Sequence, residues 1–427
     1  MALAEASSDH FAVQRRRGRV FVSGALTILL DRMVAFWIFL GGIVMFEPAP
    51  YEFMFALVLP LALFAGMKVY RTTAPLFIIT AIFIPFAITA AFQARFTPVT
   101  TTLVYELVSI FMLLTAFFAA NYVAEAPQER LRRIMAAYTL IAVLSAVAAT
   151  LGYLHVIPGG YDLLTLYGRA KGLFKDPNVF GPFLIPPALY ALQRILLGGK
   201  RGLVLNGIIF LALMVGVFAS FSRAAWGDLL GGALIVFIAS FALEATARQK
   251  VRMLILALAG VAAIGVTFAG LLSIPSVAHL FDERASVTQE YDTGTDGRFG
   301  RQGYAFGLAL TNPLGIGPAE FRNLKIKEEP HDSYATVIHV YGWGGGLCFY
   351  ALIVLTLLRA FTALRRRSPN RRLLIPLIAT YVPLVIEAGI IDIDHWRHYY
   401  LVMGLIWGVS SGYLRLKQGE DKVSALI

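Results

Sequence analysis

The stretch VRMLILALAGVAAIGVTFAGLLS, residues 251–273, decides the fold class. It is apolar throughout except for Arg252 near its start. A hydrocarbon core of about 30 Å needs roughly 20 such residues in helical form, so the stretch predicts a membrane-spanning helix. Working outward, eleven more runs of this kind lie near 24–46, 51–67, 74–93, 100–122, 133–154, 178–197, 202–220, 225–243, 332–358, 372–391 and 397–414. The chain therefore reads as an all-α polytopic membrane protein, a single transmembrane domain over 1–427 with about 12 transmembrane helices. Only one long hydrophilic stretch interrupts them, at 274–330, between spans nine and ten. The first run is too long for a signal peptide and lacks a clear small-residue cleavage site, so it reads as an uncleaved span.

Composition agrees. Hydrophobic residues make up 58% of the chain and charged residues 15%, against about 25% charged in soluble domains. Mean hydropathy is +0.70. Such a surface needs membrane lipids around it. A net charge of +11 would suggest nucleic acid in a soluble protein, but here it reflects basic loops, and no nucleic-acid partner is expected. The single cysteine, Cys348, excludes an internal disulfide and a thiolate metal site.

Lysine and arginine set the orientation, because inner loops carry the excess of both. With Arg15, Arg16, Arg17 and Arg19 inside, alternation puts 24 of the 37 basic residues on the inner side, so both termini are expected to be cytoplasmic. Two outer segments break the rule. One is 155–177, with Arg169 and Lys171 close to an apolar run. The other is 274–330, with Arg284, Arg298, Arg301, Arg322, Lys325 and Lys327. Arg223 also stands at an outer junction, between spans seven and eight. An arginine near membrane depth is costly unless it is paired, snorkelling or lining a wet cavity. Its planar fork can hold two phosphate oxygens at once. Several such groups at the outer leaflet suit a lipid-linked diphosphate and the charge that grows as it leaves.

Within the long segment, 297–310 predicts a short helix that stops before Asn312-Pro313, since proline disfavours helix in the residue preceding it. Arg298 and Arg301 would then share a face. Pro186 and Pro187 predict a kink in span six. Asp176-Pro177-Asn178 predicts a capped turn into that span. His331, at the mouth of span ten, is placed to take a proton from a hydroxyl near neutral pH. His339, deeper in the same span, reads as a packed residue. Glu106, Asp228 and Glu387 lie near or within spans, each expected to pair with an arginine, Asp228 with Arg223. Asp392-Ile393-Asp394-His395 reads as a solvated loop, as a partner for outer arginines, or as an Asp-x-Asp pair holding a divalent metal.

An ordered set of motifs resembles one family. It comprises Arg-Ala-Lys-Gly-Leu-Phe-Lys-Asp-Pro-Asn-Val-Phe-Gly (169–181), Ser-Phe-Ser-Arg-Ala-Ala-Trp (220–226) and Gly-Arg (297–298). Asn-Pro-Leu-Gly-Ile-Gly-Pro (312–318) and His-Asp-Ser-Tyr followed by Tyr-Gly-Trp-Gly-Gly-Gly (331–346) complete it. The family is the O-antigen ligase and Wzy-type polymerase superfamily. The resemblance implies a metal-independent, cofactor-free inverting glycosyltransferase of the bacterial inner membrane, with 274–330 as a periplasmic loop carrying part of the active site. The implied donor is a glycan on undecaprenyl diphosphate. The implied acceptor is lipid A–core in a ligase or a growing lipid-linked polysaccharide in a polymerase, with the ligase slightly favoured as the family's common label. Arg223, Arg298 and His331 match the catalytic positions. Arg169 and Lys171 match basic positions before the Asp-Pro-Asn turn. Gln302 stands where relatives often carry an aromatic residue, which keeps Arg301 beside Arg298 as a candidate. Asp332 stands where relatives often have asparagine, and its carboxylate either orients the imidazole or raises its pKa. A transporter or lipid-linked glycan flippase is the rival class, and a membrane scaffold a third. One-sided polar residues and the absence of repeated halves weigh against a transporter.

Overall fold

Prolines and short polar side chains set where most helices of the computed structural model begin; the structure describes residues 24–285, 294, 297–324 and 328–424. Helix α1 covers 24–40. It is followed by α2 (Pro50–Phe64), α3 (Ala74–Ala91), α4 (Val99–Glu125) and α5 (Pro127–Tyr153). Prolines open α2, α3 and α5 in the first helical positions, where a missing N–H costs nothing. A short helix, α6 (Gly160–Leu164), leads into an antiparallel hairpin of β1 (Thr165–Leu166) and β2 (Arg169–Ala170). Then come α7 (Pro177–Phe183), α8 (Ile185–Leu197), α9 (Lys200–Ala219), α10 (Arg223–Leu243), α11 (Ala247–Leu272) and α12 (Pro275–Ala285). The last four are α13 (Arg298–Thr311), α14 (Ser333–Arg365), α15 (Arg371–Glu387) and α16 (Arg397–Ser424). Asp176 caps α7, Ser222 caps α10 and Asp332 caps α14, and Thr246 with Gln249 forms a capping box on α11.

Eight helical segments among the described residues are long and apolar enough to cross a membrane: α3 with the turn before it, α4, α5, α7 with α8, α9, α10, α11 and α14. The protein is a helical multi-pass membrane protein. The other four predicted runs are helical as well, as α1, α2, α15 and α16, although α2 and α15 have only 15 and 17 residues. The most extensive packing joins α4 to α16, α8 to α9, α10 to α15, α3 to α14 and α5 to α9. No residue in the most apolar stretch of α11 is fully buried, as befits a helix turned mostly to lipid.

The structure revises several expectations. The predicted kink of span six is a break at Leu184, between α7 and α8, just ahead of Pro186 and Pro187. The helix predicted over 297–310 forms as α13 and ends at Thr311. Part of the stretch read as hydrophilic loop is also helical, as α12, because Phe281 packs on Trp226 and Phe268 with ring centroids 5.7 and 5.3 Å away. Arg359 belongs to α14 rather than to a loop, and its guanidinium bonds the Trp407 carbonyl (3.0 Å) and the Ser411 hydroxyl (2.8 Å). Asp228 does not pair with Arg223. It lies buried on α10 beside Glu387 of α15. Glu106 is buried with no hydrogen-bond partner among the described residues. Arg15 to Arg19, Lys325 and Lys327 lie outside the described residues, as do the side chains of Arg284, Arg415, Lys417 and Lys422.

Two family-like motifs meet backbone to backbone. Gly342 interrupts α14 at φ 72°, a conformation that side chains resist. The turn 312–317 lies against this break. Ile316 N–H donates to the His339 carbonyl (2.8 Å), and Trp343 N–H donates to the Pro313 carbonyl (2.9 Å). A Cβ on Gly342 would overlap the Pro313 carbonyl. Gly342→Ala is therefore expected to lower stability by roughly 1–3 kcal/mol or more, read as an earlier thermal unfolding in detergent.

Glu320 ties the same turn to the loop before α4, accepting from the N–H groups of Phe96 (3.0 Å) and Thr97 (2.6 Å). Burial works against its charge, but the bonds from Thr97, Arg95 and Phe96 outweigh it and hold the carboxyl below its ordinary value. A depressed carboxyl adds stability above its unfolded pKa and loses it as pH falls through the folded one. Glu320→Gln should lower stability at pH 7 and flatten the acid side of a stability–pH curve below the ordinary carboxylate range.

Candidate active site

The hairpin β1–β2 turns through Tyr167 (φ 51°) and Gly168 (φ 69°), the pair of positive φ values that a tight two-residue hairpin needs. This aims Arg169 inward. Its Nε donates to the Ser220 carbonyl (2.9 Å) and one terminal nitrogen donates to Asn178 Oδ1 (2.6 Å). The same junction holds Phe221 at φ 47° and starts α10 at Arg223 under the Ser222 cap. Arg298 is the first residue of α13. His331, at φ 54°, precedes the cap of α14. These four side chains line one open cavity of about 310 Å³, together with Asp176, Asn178 and Asp392.

His331 meets a carboxylate there. Its Nδ1 lies 3.3 Å from Asp392 Oδ2. The other oxygen of Asp392 accepts from Asp332 N–H (3.2 Å) and the Thr336 hydroxyl (3.0 Å). With Asp392 accepting from Nδ1–H, Nε2 keeps its lone pair for a proton. Ser333 stitches the two segments further: its N–H donates to the Ala388 carbonyl (2.7 Å), and its hydroxyl accepts from Ile393 N–H (2.6 Å). Gln302, on α13, donates to the carbonyls of His331 (3.2 Å) and Gly389 (3.3 Å).

Of the residues singled out in the sequence, Arg169, Arg223, Arg298 and His331 come together, and Lys171, Arg301 and Asp332 do not line the cavity. Lys171 lies beside the hairpin, its N–H bonded to Leu164. Arg301 is buried and paired with Glu328. Asp332 spends its carboxylate on the cap, accepting from Tyr334 N–H (2.8 Å) and Ala335 N–H (3.1 Å). Burial pushes that carboxyl above its ordinary value against the pull of the two donors. The carboxylate beside the imidazole is thus Asp392, which the sequence presents as part of a solvated loop, a partner for outer arginines or a metal pair. The signal that points to it is its place at the outer end of a span, level with His331. Asp394 diverges from it and pairs with His395 Nδ1 (2.9 Å), whose Nε2 meets the Ser109 hydroxyl (2.9 Å). Among the described residues no three His, Cys, Asp or Glu side chains are grouped to hold a metal ion. His339 is the packed residue expected, with Nδ1 2.7 Å from the Ala335 carbonyl.

Arg223 also borders a second, apolar groove of about 530 Å³ between α9, α10 and α11, walled by Phe218, Trp226, Leu230, Phe268 and Phe281. A cationic cavity and a greasy channel thus share one arginine.

Residues 208–350 match the model of the O-antigen ligase family. This stretch is similar to that family, which supports an O-antigen ligase- or polymerase-type function. It runs from within α9 to the middle of α14 and includes Arg223, Arg298 and His331. Arg169 and Asp392 reach the cavity from outside the matched residues. No curated protein matches the chain.

The division of labour between the two aspartates is testable by unfolding. Asp392→Ala removes two hydrogen bonds and the contact with the His331 imidazole that hold 388–393 to 331–336, and should cost about 1–3 kcal/mol. Asp332→Asn keeps a capping side chain and should change stability by less than about 0.5 kcal/mol.

Proposed function

We propose that the protein is an inverting O-antigen ligase-type glycosyltransferase that moves a glycan from undecaprenyl diphosphate to a hydroxyl of lipid A–core. In this reading it crosses the bacterial inner membrane twelve times, with both termini cytoplasmic and the cavity at the periplasmic face. The observation that carries the reading is the meeting of three guanidiniums and the His331–Asp392 pair in one cavity joined through Arg223 to an apolar groove.

The groove suits a polyprenyl chain, and Arg223 stands where its diphosphate would emerge. Arg169 and Arg298 flank the same position. The acceptor hydroxyl gives its proton to His331 Nε2 as its oxygen attacks the anomeric carbon. The bond from that carbon to the diphosphate oxygen breaks, and the electron pair leaves with undecaprenyl diphosphate. The arginines neutralise the charge that grows there. Asp392 stabilises the imidazolium. Attack opposite the leaving group inverts the centre. The guanidiniums supply the charge that a divalent cation supplies in other glycosyltransferases.

Purified protein given an undecaprenyl-diphosphate-linked glycan and lipid A–core, with chelator, tests this directly. Transfer should survive the chelator. It should fall by about a hundredfold or more in His331→Ala and Arg223→Ala. Arg301→Gln, outside the cavity, should retain far more activity than Arg298→Gln. Extension of lipid-linked glycan without lipid A–core would make the enzyme a polymerase. Loss with chelator would redirect attention to Asp392 and Asp394. Movement of the donor across a bilayer without transfer would replace the enzyme by a flippase.

A further inference from the structure

At the opposite end of the bundle α5, α8 and α9 enclose another pocket. Tyr153 at the end of α5 packs on the cavity residue Phe221 (ring centroids 6.0 Å), α8 follows α7, whose Asn178 and Val179 line the cavity, and α9 ends just before Phe221, so Pro127, Leu197 and Lys200 mark the far ends. The pocket, about 350 Å³, is lined there by Arg132 near the start of α5, Arg194 in the last turn of α8 and Asn206 on α9. Its remaining wall is mainly apolar, with Leu140, Val143 and Ile209 leading toward the middle of the bundle.

The charges here are not consumed by the fold. Arg130 and Arg133, either side of Arg132, are neutralised by Asp31, Glu125 and Glu129. Among the described residues neither Arg132 nor Arg194 has a carboxylate within ion-pair distance. The C-terminal carbonyls of α8 do not need Arg194 either. Arg252 bonds Gly198 and Ile195 (3.0 Å to the latter), and Gln249 bonds Leu197 (3.3 Å). Arg194 instead leans toward the ring of Tyr190, 5.7 Å from its centroid.

Two guanidiniums with no ion pair among the described residues, above an apolar, bilayer-facing hollow, match a phosphate headgroup with its first acyl carbons. Leu140, Val204, Leu205 and Ile208, on α5 and α9, expose about half or more of their surface to the surrounding lipid. We propose that this pocket binds one anionic phospholipid, with Arg132 and Arg194 on its phosphate and the α5–α9 wall along its chains. The site is separate from the donor cavity and is independent of the transfer reaction proposed above.

Native mass spectrometry of the full-length protein, equilibrated with palmitoyl-oleoyl phosphatidylglycerol or the matching phosphatidylcholine, tests it. The wild type should retain one phosphatidylglycerol with a preference of about tenfold or more, since each guanidinium is worth about fivefold. Arg132→Gln with Arg194→Gln should bring that preference to within about twofold. Lys200→Gln with Arg201→Gln, at the same end but off the pocket wall, should keep it. Equal retention of the two lipids by wild type, or an undiminished preference in the pocket variant, would overturn the site. If the double variant does not fold, Arg194→Gln alone carries the test: a loss of about threefold or more supports the site and no loss overturns it.

Discussion

Inside a bilayer, every backbone carbonyl released from a helix must find its partner within the protein. This chain leaves helical geometry at several depths, and at each one a named donor answers. Phe183, at the break between α7 and α8, accepts from the Tyr138 hydroxyl (2.9 Å). Ser220, between α9 and α10, accepts from Arg169 (2.9 Å). His339, above the kink in α14, accepts from Ile316, and Ala388, after α15, accepts from Ser333. Two of these breaks, at Ser220 and Ala388, adjoin the cavity residues Phe221 and Ile390. A bundle of uninterrupted helices would offer no such concavity.

Position separates the arginines that hold the bundle together from those on the cavity wall. Arg301 and Arg130 are buried against carboxylates, and Arg359 is spent on α16. Arg223 and Arg298 sit at helix starts on the cavity wall, where Asp176 is held by its cap and Asp392 by Asp332, Thr336 and His331.

The membrane class, the spans and most cavity residues were legible in the sequence because they follow from local rules. Runs of apolar residues need lipid, and basic residues at an apolar boundary need a reason. The family-like order of motifs added His331, Arg223 and Arg298. What stayed hidden depends on distance in space. Asp392 is 61 residues from His331 in sequence, and no periodicity links the two. Arg298 and Arg301 share a helix, but only the arrival of Glu328 decides which of them turns inward. Asp332, beside the histidine in sequence, is claimed by the free N–H groups of its own helix, so proximity along the chain misleads there. The carboxyl pair of Asp228 and Glu387 was equally unreadable, because like residues carry no signal that they will meet.

The matched domain and the reactive centre do not have the same borders. Arg169 and the partner of His331 both come from beyond residues 208–350. A graft of the family region alone into a related scaffold would carry His331, the proposed base, without Asp392, the carboxylate beside it. The heritable unit of chemistry in this protein is therefore larger than its recognisable signature, and a functional transplant has to take the hairpin before α7 and the bend after α15 along with it.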